Sequence, residues 1–315
     1  MMVVICAWDV AKDVSGPAAW VRRLVVQLSE LGDEPHVFCY CAGNPALAPN
    51  FSWLKEAGYP VSGLDVKNMR QAVRWTLEQT AKHKADVVIA DNVVPAHYAA
   101  KWLRPAGIPV VSVQHSHDQI YNNLARSFLG PSTEHRASAY VAVSDFVKKS
   151  AEVHAQGLRS ATIACGAPLP KIQAQPPDRG ELRLIYVGRI TERAKRVLEV
   201  GKALSMACDR VPGVTATMVG SGPLADELTD LLAKLPGGEK VDFRGRLPLD
   251  EVQHVMAQHH VCVLLSDYEG TPISLMEGMG AALVPIVTRL ESGVPELVEE
   301  GVTGFYVDDR EEDFV

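Results

Sequence analysis

The stretch HVCVLLSDYEGTPISLMEGMGAALVPIVT, His260 to Thr288, decides how this chain folds. Two apolar runs, HVCVLLS and ALVPIVT, frame it, and each is continuously apolar rather than alternating. That pattern predicts parallel strands covered on both faces. Between them Thr271 is placed to cap a helix whose first position is Pro272. A strand–helix–strand unit puts its ligand at the carboxyl ends of the strands. Glu269 falls on the loop after the first strand, beside Gly270. Glu277 lies eight positions on, inside the helix and next to Leu275, Met276 and Met279. A buried carboxylate without a partner is costly, so Glu277 is either turned to solvent or satisfied by something else. The N–H groups of Ile273 and Ser274, at the positive end of the helix, form a ready anion site.

The same alternation extends in both directions. Before the linker, MVVICAW, PHVFCY, DVVIADN, IPVVSVQ, AYVAVSD and SATIAC read as strands. Pro17 to Leu31 carries Val21, Leu24, Val25, Leu28 and Leu31 at helical spacing and is closed by Gly32. Val66–Lys84 turns Met69, Val73, Leu77 and Ala81 inward and Lys67, Arg70, Arg74 and Lys82 outward. GAPLPKIQAQPPDRG, Gly166 to Gly180, has four prolines and no apolar period, which marks a linker. Beyond it LRLIYVGR, VTATMVGSG and VDFRG are further strands, with helices over 194–210, 224–235 and 250–258. The fold class is therefore α/β, with two doubly wound domains, 1–170 and 171–315, and a ligand site expected in a cleft they face.

Composition narrows the function. Of 315 residues 47% are hydrophobic, and the net charge of −7 is spread without long single-sign blocks. A nucleic-acid binder would show a basic stripe, so that class is set aside. Six cysteines stand scattered with no C-x-x-C pair, which predicts neither disulfides nor a metal site and makes a reducing cytoplasm the expected setting. MMVVICAW is too short and lacks the basic leader of a signal peptide. No uncharged apolar run approaches the roughly 18–20 residues of a membrane span. The basic face of 66–84 suits either plain solvation or peripheral contact with the inner face of a membrane.

Other strand ends carry chemistry. Arg189 and Lys195 follow LIYVGR, where Gly188 allows close approach; a guanidinium and an ammonium there would neutralise a diphosphate. RITERAKR crowds four cations at a helix start, against the dipole, so a solvated basic face competes with anion binding. Gly220 and Gly222 in MVGSGP, and Phe243 and Arg244 in VDFRGRL, sit in turns that match neither a Walker loop nor a full dinucleotide fingerprint. Tight turns also account for them. VSVQHSHD ends a strand with His115, His117 and Asp118, a pattern open to metal binding, acid pairing or surface decoration. Gly16 in DVSGPAAW permits a ligand to lie against backbone.

Together, and in this order, these pieces resemble the retaining GT-B glycosyltransferases of family 4. The resemblance rests on E-x7-E (Glu269, Glu277), YVGR with Lys195, VGSGP, VDFRG and GVPELVEEGVTGFYV. It is strong over 182–307 and weaker through Gly16, LSELGDEPHVF and IPVVSVQH. It implies a GT-B architecture, two Rossmann-like doubly wound parallel-sheet domains facing a cleft, with the acceptor on the first and the donor on the second. It further implies transfer of a hexose-type sugar, with retention, from a UDP- or GDP-sugar to a glycan, lipid-linked or small-molecule hydroxyl in glycan biosynthesis. Arg189 and Lys195 would hold the diphosphate, and Glu269 would face the sugar. Glu277 would accept from the ribose hydroxyls. His115, with His117 as second choice, would be the catalytic histidine, and Gly16, Gly220, Gly222, Phe243, Arg244, Gly270, Thr271, Ile273 and Ser274 would line the donor. With two cations and a helix end on the diphosphate, and no D-x-D motif, the expected transfer needs no metal and no cofactor. A nucleotide-sugar epimerase of the same shape and a non-catalytic nucleotide-sugar-binding protein are the competing classes. Three departures stand out: Ser15 precedes Gly16 where the family has two glycines, and Thr271 and Ala282 replace a bulky residue and a glycine, predicting unusual sugar specificity. Members of the family also continue past this chain's last residue with further helices.

Overall fold

The computed structural model describes residues 1–10, 16–178 and 180–315; Ser15 lies outside the described residues. The chain divides into two compact units, Met1–Cys165 and Gly166–Val315.

In the first unit the elements run β1 (Met2–Trp8), α1 (Gly16–Glu30), β2 (Glu34–Cys41), α2 (Pro49–Glu56), β3 (Val61–Asp65), α3 (Met69–His83), β4 (Val87–Asp91), α4 (Val94–Leu103), β5 (Val110–Gln114), α5 (Gln119–Phe128), β6 (Ala139–Ala142), α6 (Asp145–Glu152) and β7 (Arg159–Thr162). The strands form a parallel sheet in the order β3-β2-β1-β4-β5-β6-β7. Alternate residues of β1 enter opposite layers. Val3, Ile5 and Ala7 pack with Val21 and Val25 of α1, whereas Val4 and Cys6 pack with Ala72, Ala96 and Ala99 of α3 and α4. Burial on both faces is what continuous apolar strands require.

The second unit follows with β8 (Leu182–Val187), α7 (Val197–Arg210), β9 (Val214–Val219), α8 (Ala225–Leu232), β10 (Val241–Phe243), α9 (Leu249–Met256), β11 (Val261–Leu264), α10 (Ile273–Gly280), β12 (Val284–Thr288) and β13 (Phe305–Val307). Its parallel sheet has the order β10-β9-β8-β11-β12-β13. Leu184 and Tyr186 of β8 face one core layer, Ile185 the other.

Two helical phases differ from expectation. Leu31 is 80% exposed, because α1 ends at Glu30 and the chain turns at Gly32, where φ is +84°. On α3 the buried residues are Ala72, Thr76 and Thr80, while Met69 and Ala81 are exposed. Thr76 is buried at little cost because its hydroxyl donates to the Ala72 carbonyl at 2.7 Å and meets Tyr40 Oη at 2.6 Å. The outward cations of that segment are partly neutralised, Lys67 by Asp65 at 2.6 Å and Arg74 by Glu78 at 3.1 Å.

Each unit also fastens a helix to its sheet with a buried histidine. His97 Nδ1 donates to the Val93 carbonyl at 2.9 Å, and Nε2 accepts from Ser112 Oγ at 2.9 Å. His259 repeats this with the Val255 carbonyl (2.7 Å) and Thr217 Oγ1 (2.8 Å). Burial lowers both imidazoles to about 4, so they are neutral in the folded protein at neutral pH.

Candidate functional site

In the second unit the strand order reverses between β8 and β11, and ligands of open α/β sheets bind at such a crevice. The loop after β8 carries Arg189 and Lys195, and the loop after β11 carries Glu269. Lys195 Nζ donates to Glu269 Oε1 at 2.5 Å, with both side chains 12% exposed. The two loops are also tied by the Asp267 N–H, which donates to the Ala194 carbonyl at 2.8 Å. Arg189 is exposed, and among the described residues no acid pairs with it. Tyr186 Oη donates to the Arg189 carbonyl at 2.9 Å. Burial first, then the charge of Glu269, pushes this phenol up, while Arg189 opposes them. Arg189 and Glu269 therefore lie within electrostatic reach of one buried group.

Of the cations crowded before α7, Lys195 and Arg196 have acidic partners. Arg196, in a left-handed conformation at φ +49°, faces Glu192, Glu199 and Asp267. Arg310, beyond β13, reaches the same place: Nε donates to the Leu265 carbonyl at 2.8 Å, one terminal nitrogen pairs with Asp267, and the other lies 3.3 Å from Glu199. No motif pointed to Arg310. It clamps the exit of β11, and with it the loop that bears Glu269, to the start of α7.

Gly220 and Gly222 are required by packing. A Cβ on Gly220 would stand 1.8 Å from the Gly188 carbonyl oxygen, and one on Gly222 would stand 2.1 Å from that of Ile190. The loops after β8, β9 and β10 lie against each other there, through Gly188 N–H to Val219 O (3.0 Å), Ile190 N–H to Ser221 O (2.9 Å) and Gly220 N–H to Gly245 O (2.8 Å). Phe243 packs on the core of the unit. Arg244 turns back to Asp242 at 2.7 Å.

Helix α10 starts one residue later than expected. Pro272, not Thr271, is the capping position, and its own side chain makes no capping bond. Leu275 and Met276 N–H both donate to the Pro272 carbonyl, so Ile273 and Ser274 precede the first intrahelical bonds and their N–H groups point off the helix start. Gly270 is buried and accepts from Gly293 N–H at 2.9 Å. Glu277 is 9% exposed, which removes the solvent-facing alternative. Ala282 lies at the opposite end of α10. Its φ is +66°, its N–H donates to the Met279 carbonyl, and Leu283 N–H donates to the Gly278 carbonyl, each at 3.0 Å. This is a Schellman termination. The left-handed helix ending is by itself enough to account for a glycine preference at this position.

The first unit reverses between β1 and β4. Asp91 ends β4 and pairs in register with Val113 of β5, which brings His115 beside it. His115 is no surface decoration: its side chain is 9% exposed and that of Asp91 is 4% exposed, with Nε2 2.9 Å from Oδ1. The approach is oblique, so charge rather than a directed hydrogen bond joins them. Trp20 of α1 meets the imidazole edge-on at 5.0 Å, and Cys165 Sγ lies 4.0 Å from Nδ1. Burial alone would lower this imidazole, but the carboxylate of Asp91 outweighs it and raises it to about 9. His117 instead stacks edge-on with Phe146 at 4.8 Å. Asp118 caps α5, accepting from the N–H groups of Ile120 and Tyr121. Gly16 opens α1. Sequence reasoning did not select Asp91, although an acid closing a buried strand, VVIAD, was the available signal. Among the described residues no group of three His, Cys, Asp or Glu is placed to hold an ion, and no helix is long and apolar enough to cross a membrane.

Comparison with known proteins places these features in a family. The family model described as "Glycosyltransferase Family 4" matches residues 14–167, and the one described as "Glycosyl transferases group 1" matches 170–315. The amylovoran biosynthesis glycosyltransferase AmsK of Erwinia amylovora is 31% identical over 131 residues, 39% of this chain and 31% of that protein. The chain thus matches about a third of the length of such curated relatives. A GDP-mannose-dependent alpha-(1-6)-phosphatidylinositol monomannoside mannosyltransferase of Mycobacterium tuberculosis is 27% identical over 260 residues, covering 75% of this chain and 66% of that one. The solved pneumococcal O-GlcNAc transferase GtfA, in complex with UDP and GlcNAc, superposes with a TM-score of 0.77 at 12% identity, covering 100% of this chain and 89% of that one; this likeness concerns the fold. With the two family models spanning both units and a GT-B glycosyltransferase fold shared with solved structures, the chain belongs to the group 1, family 4 glycosyltransferases.

Proposed function

We propose that this chain is a retaining, metal-independent transferase that moves a hexose-type sugar from a UDP- or GDP-sugar to an acceptor hydroxyl. The Lys195–Glu269 pair at the β8/β11 reversal, with exposed Arg189 beside it, is the observation that carries the proposal. The second unit binds the donor, and the first serves the acceptor. A leaving nucleoside diphosphate gathers negative charge, which the Lys195 ammonium, the Arg189 guanidinium and the N–H groups of Ile273 and Ser274 stabilise. Positive groups fixed in this way do the task of a divalent cation. Glu269 orients Lys195 and faces the sugar, and Glu277 accepts from the ribose hydroxyls. Attack on the same face of the sugar as departure gives retention. UDP in the GtfA structure and GDP-mannose in the mycobacterial relative's name support a nucleotide-sugar donor. Glycan- and lipid-directed relatives support an acceptor of that kind. The family match favours transfer over epimerisation.

A thermal-shift screen of nucleotide sugars, followed by calorimetry with UDP and GDP, tests this. Glu277→Ala removes charged hydrogen bonds of about 1.5–3 kcal/mol and should weaken the preferred nucleotide about 10- to 100-fold while the protein stays folded. Unchanged affinity for both nucleotides refutes the assignment. A parent chain that binds donor but transfers sugar to no acceptor would make it a binding protein instead, and a His115→Ala variant that turns over like the parent would remove His115 from the chemistry.

A further inference from the structure

Lys195 stands in a single turn that closes on a residue of the wrong shape for it. The Arg196 N–H donates to the Glu192 carbonyl at 3.0 Å, so residues 192–196 make one helical turn before α7 begins at Val197. Arg196 ends that turn in the left-handed region, at φ +49° and ψ +42°. Glycine is the usual residue at such an ending, because a Cβ is strained there. A strained conformation persists only where its surroundings over-determine it, and this one directly follows the lysine that meets Glu269.

The surroundings act through charge. One terminal nitrogen of Arg196 lies 3.2 Å from Glu192, the other pairs with Glu199, and Nε stands 3.6 Å from Asp267. Arg310 takes the oxygens that Arg196 leaves. On Glu199, Oε1 faces Arg196 and Oε2 faces Arg310; on Asp267, Oδ2 faces Arg196 and Oδ1 faces Arg310. Two guanidiniums and two carboxylates thus close a ring that joins α7, the exit of β11 and the segment after β13. A lone half-exposed ion pair contributes little, whereas several charges sharing partners fix a geometry. The Asp267 N–H, which donates to the Ala194 carbonyl at 2.8 Å, carries that geometry into the backbone beside Lys195.

We propose that Arg196 is a positioning residue: its side chain, held by this ring and by Glu192, keeps its own backbone left-handed, and the closed turn presents Lys195 to Glu269 and to the anion that the pair serves. A side chain here achieves by its contacts what glycine achieves by lacking one. That the anion is a diphosphate rests on the transferase reading above; the conformation of the turn does not.

Two variants separate conformation from charge. Arg196→Gly loses the ion pairs but takes the left-handed conformation freely, and Arg196→Ala loses them and keeps the strain. Amide hydrogen exchange on the full chain without nucleotide reads the turn at two bonds, residue 196 N–H to Glu192 and Asp267 N–H to Ala194. Both should exchange faster than in the parent in Arg196→Ala and stay near parental protection in Arg196→Gly. Calorimetry with UDP and GDP should find the preferred nucleotide bound about tenfold more weakly by Arg196→Ala than by Arg196→Gly. A merely structural role would lower the melting temperature of both variants without separating their affinities. Parental exchange in Arg196→Ala overturns the proposal, and so do two variants that lose protection and affinity alike. Where Arg196→Ala does not fold, Arg310→Gln opens the ring from its other side and should loosen the same two amides; parental protection there also overturns the proposal. If the parent binds neither nucleotide, the transferase reading fails, and the exchange result alone decides the role of Arg196.

Discussion

Replacing Ala282 by glycine separates a stability role from a specificity role at a position where the sequence alone pointed to the sugar. Ala282 ends α10 at φ +66° and is exposed, so its methyl group fills no cavity. A left-handed conformation costs an L-residue about 1–2 kcal/mol. Glycine removes that strain but loses about 0.5–1 kcal/mol more conformational freedom on folding. The net effect is a stabilisation of about 0.5–1 kcal/mol. For a unit of this size each kcal/mol moves the melting temperature by about 2–4 °C, so Ala282→Gly should raise it by about 1–4 °C. Calorimetry on the full chain measures this, and hydrogen exchange at the amides of α10 and β12 shows whether the gain is local. Ala282→Val, with a branched side chain forced into the same conformation, should fall below the parent. A glycine variant no more stable than the parent refutes the reasoning, and so does one whose main change is in donor preference.

Acid should destabilise both units together. Burial lowers His36, His97 and His259 each to about 4, so the unfolded chain binds protons that the folded one refuses between the ordinary value near 6.5 and 4. The stability they hold is fully present above about 6.5 and is lost as pH falls through 4, up to about 3 kcal/mol for each. His115 has the opposite sign. It is raised to about 9, so its contribution is present below its ordinary value and is lost as pH rises through 9. Urea midpoints from pH 10 to 4 check both limbs, and a midpoint that stays flat from pH 7 to 4 contradicts the acid limb. Gly222→Ala would drive a methyl group into the Ile190 carbonyl, so it should cost about 1–3 kcal/mol and weaken nucleotide binding; parental melting would show that the loops can yield.

The α/β alternation was legible because buried parallel strands leave an unmistakable continuous apolar run. Helix α2 and strand β3 were not legible. VSGLD is half-buried throughout and carries the glycine whose absent side chain admits Pro45 and Phe51. The inward face of α3 was misjudged because Thr76, satisfied by Ala72 and Tyr40, is buried where a hydrophobic count expects an apolar residue. At the site, strand ends named Arg189, Lys195, Glu269 and His115. The pairings among such residues depend on strand order, which local pattern does not contain. Lys195 meets Glu269 across 74 positions. Asp91 reaches His115 because β4 lies beside β5.

The clamp made by Arg310 has a consequence for synthesis. The loop that bears Glu269 leaves the ribosome 43 residues before the guanidinium that fastens Asp267. Until β13 has been laid down and Arg310 follows it, that loop is tied to the start of α7 through Ala194, Lys195 and Arg196 alone. A nascent chain released early would carry the whole E-x7-E segment and still lack the Arg310 clamp, so full competence for the diphosphate should follow the emergence of Arg310.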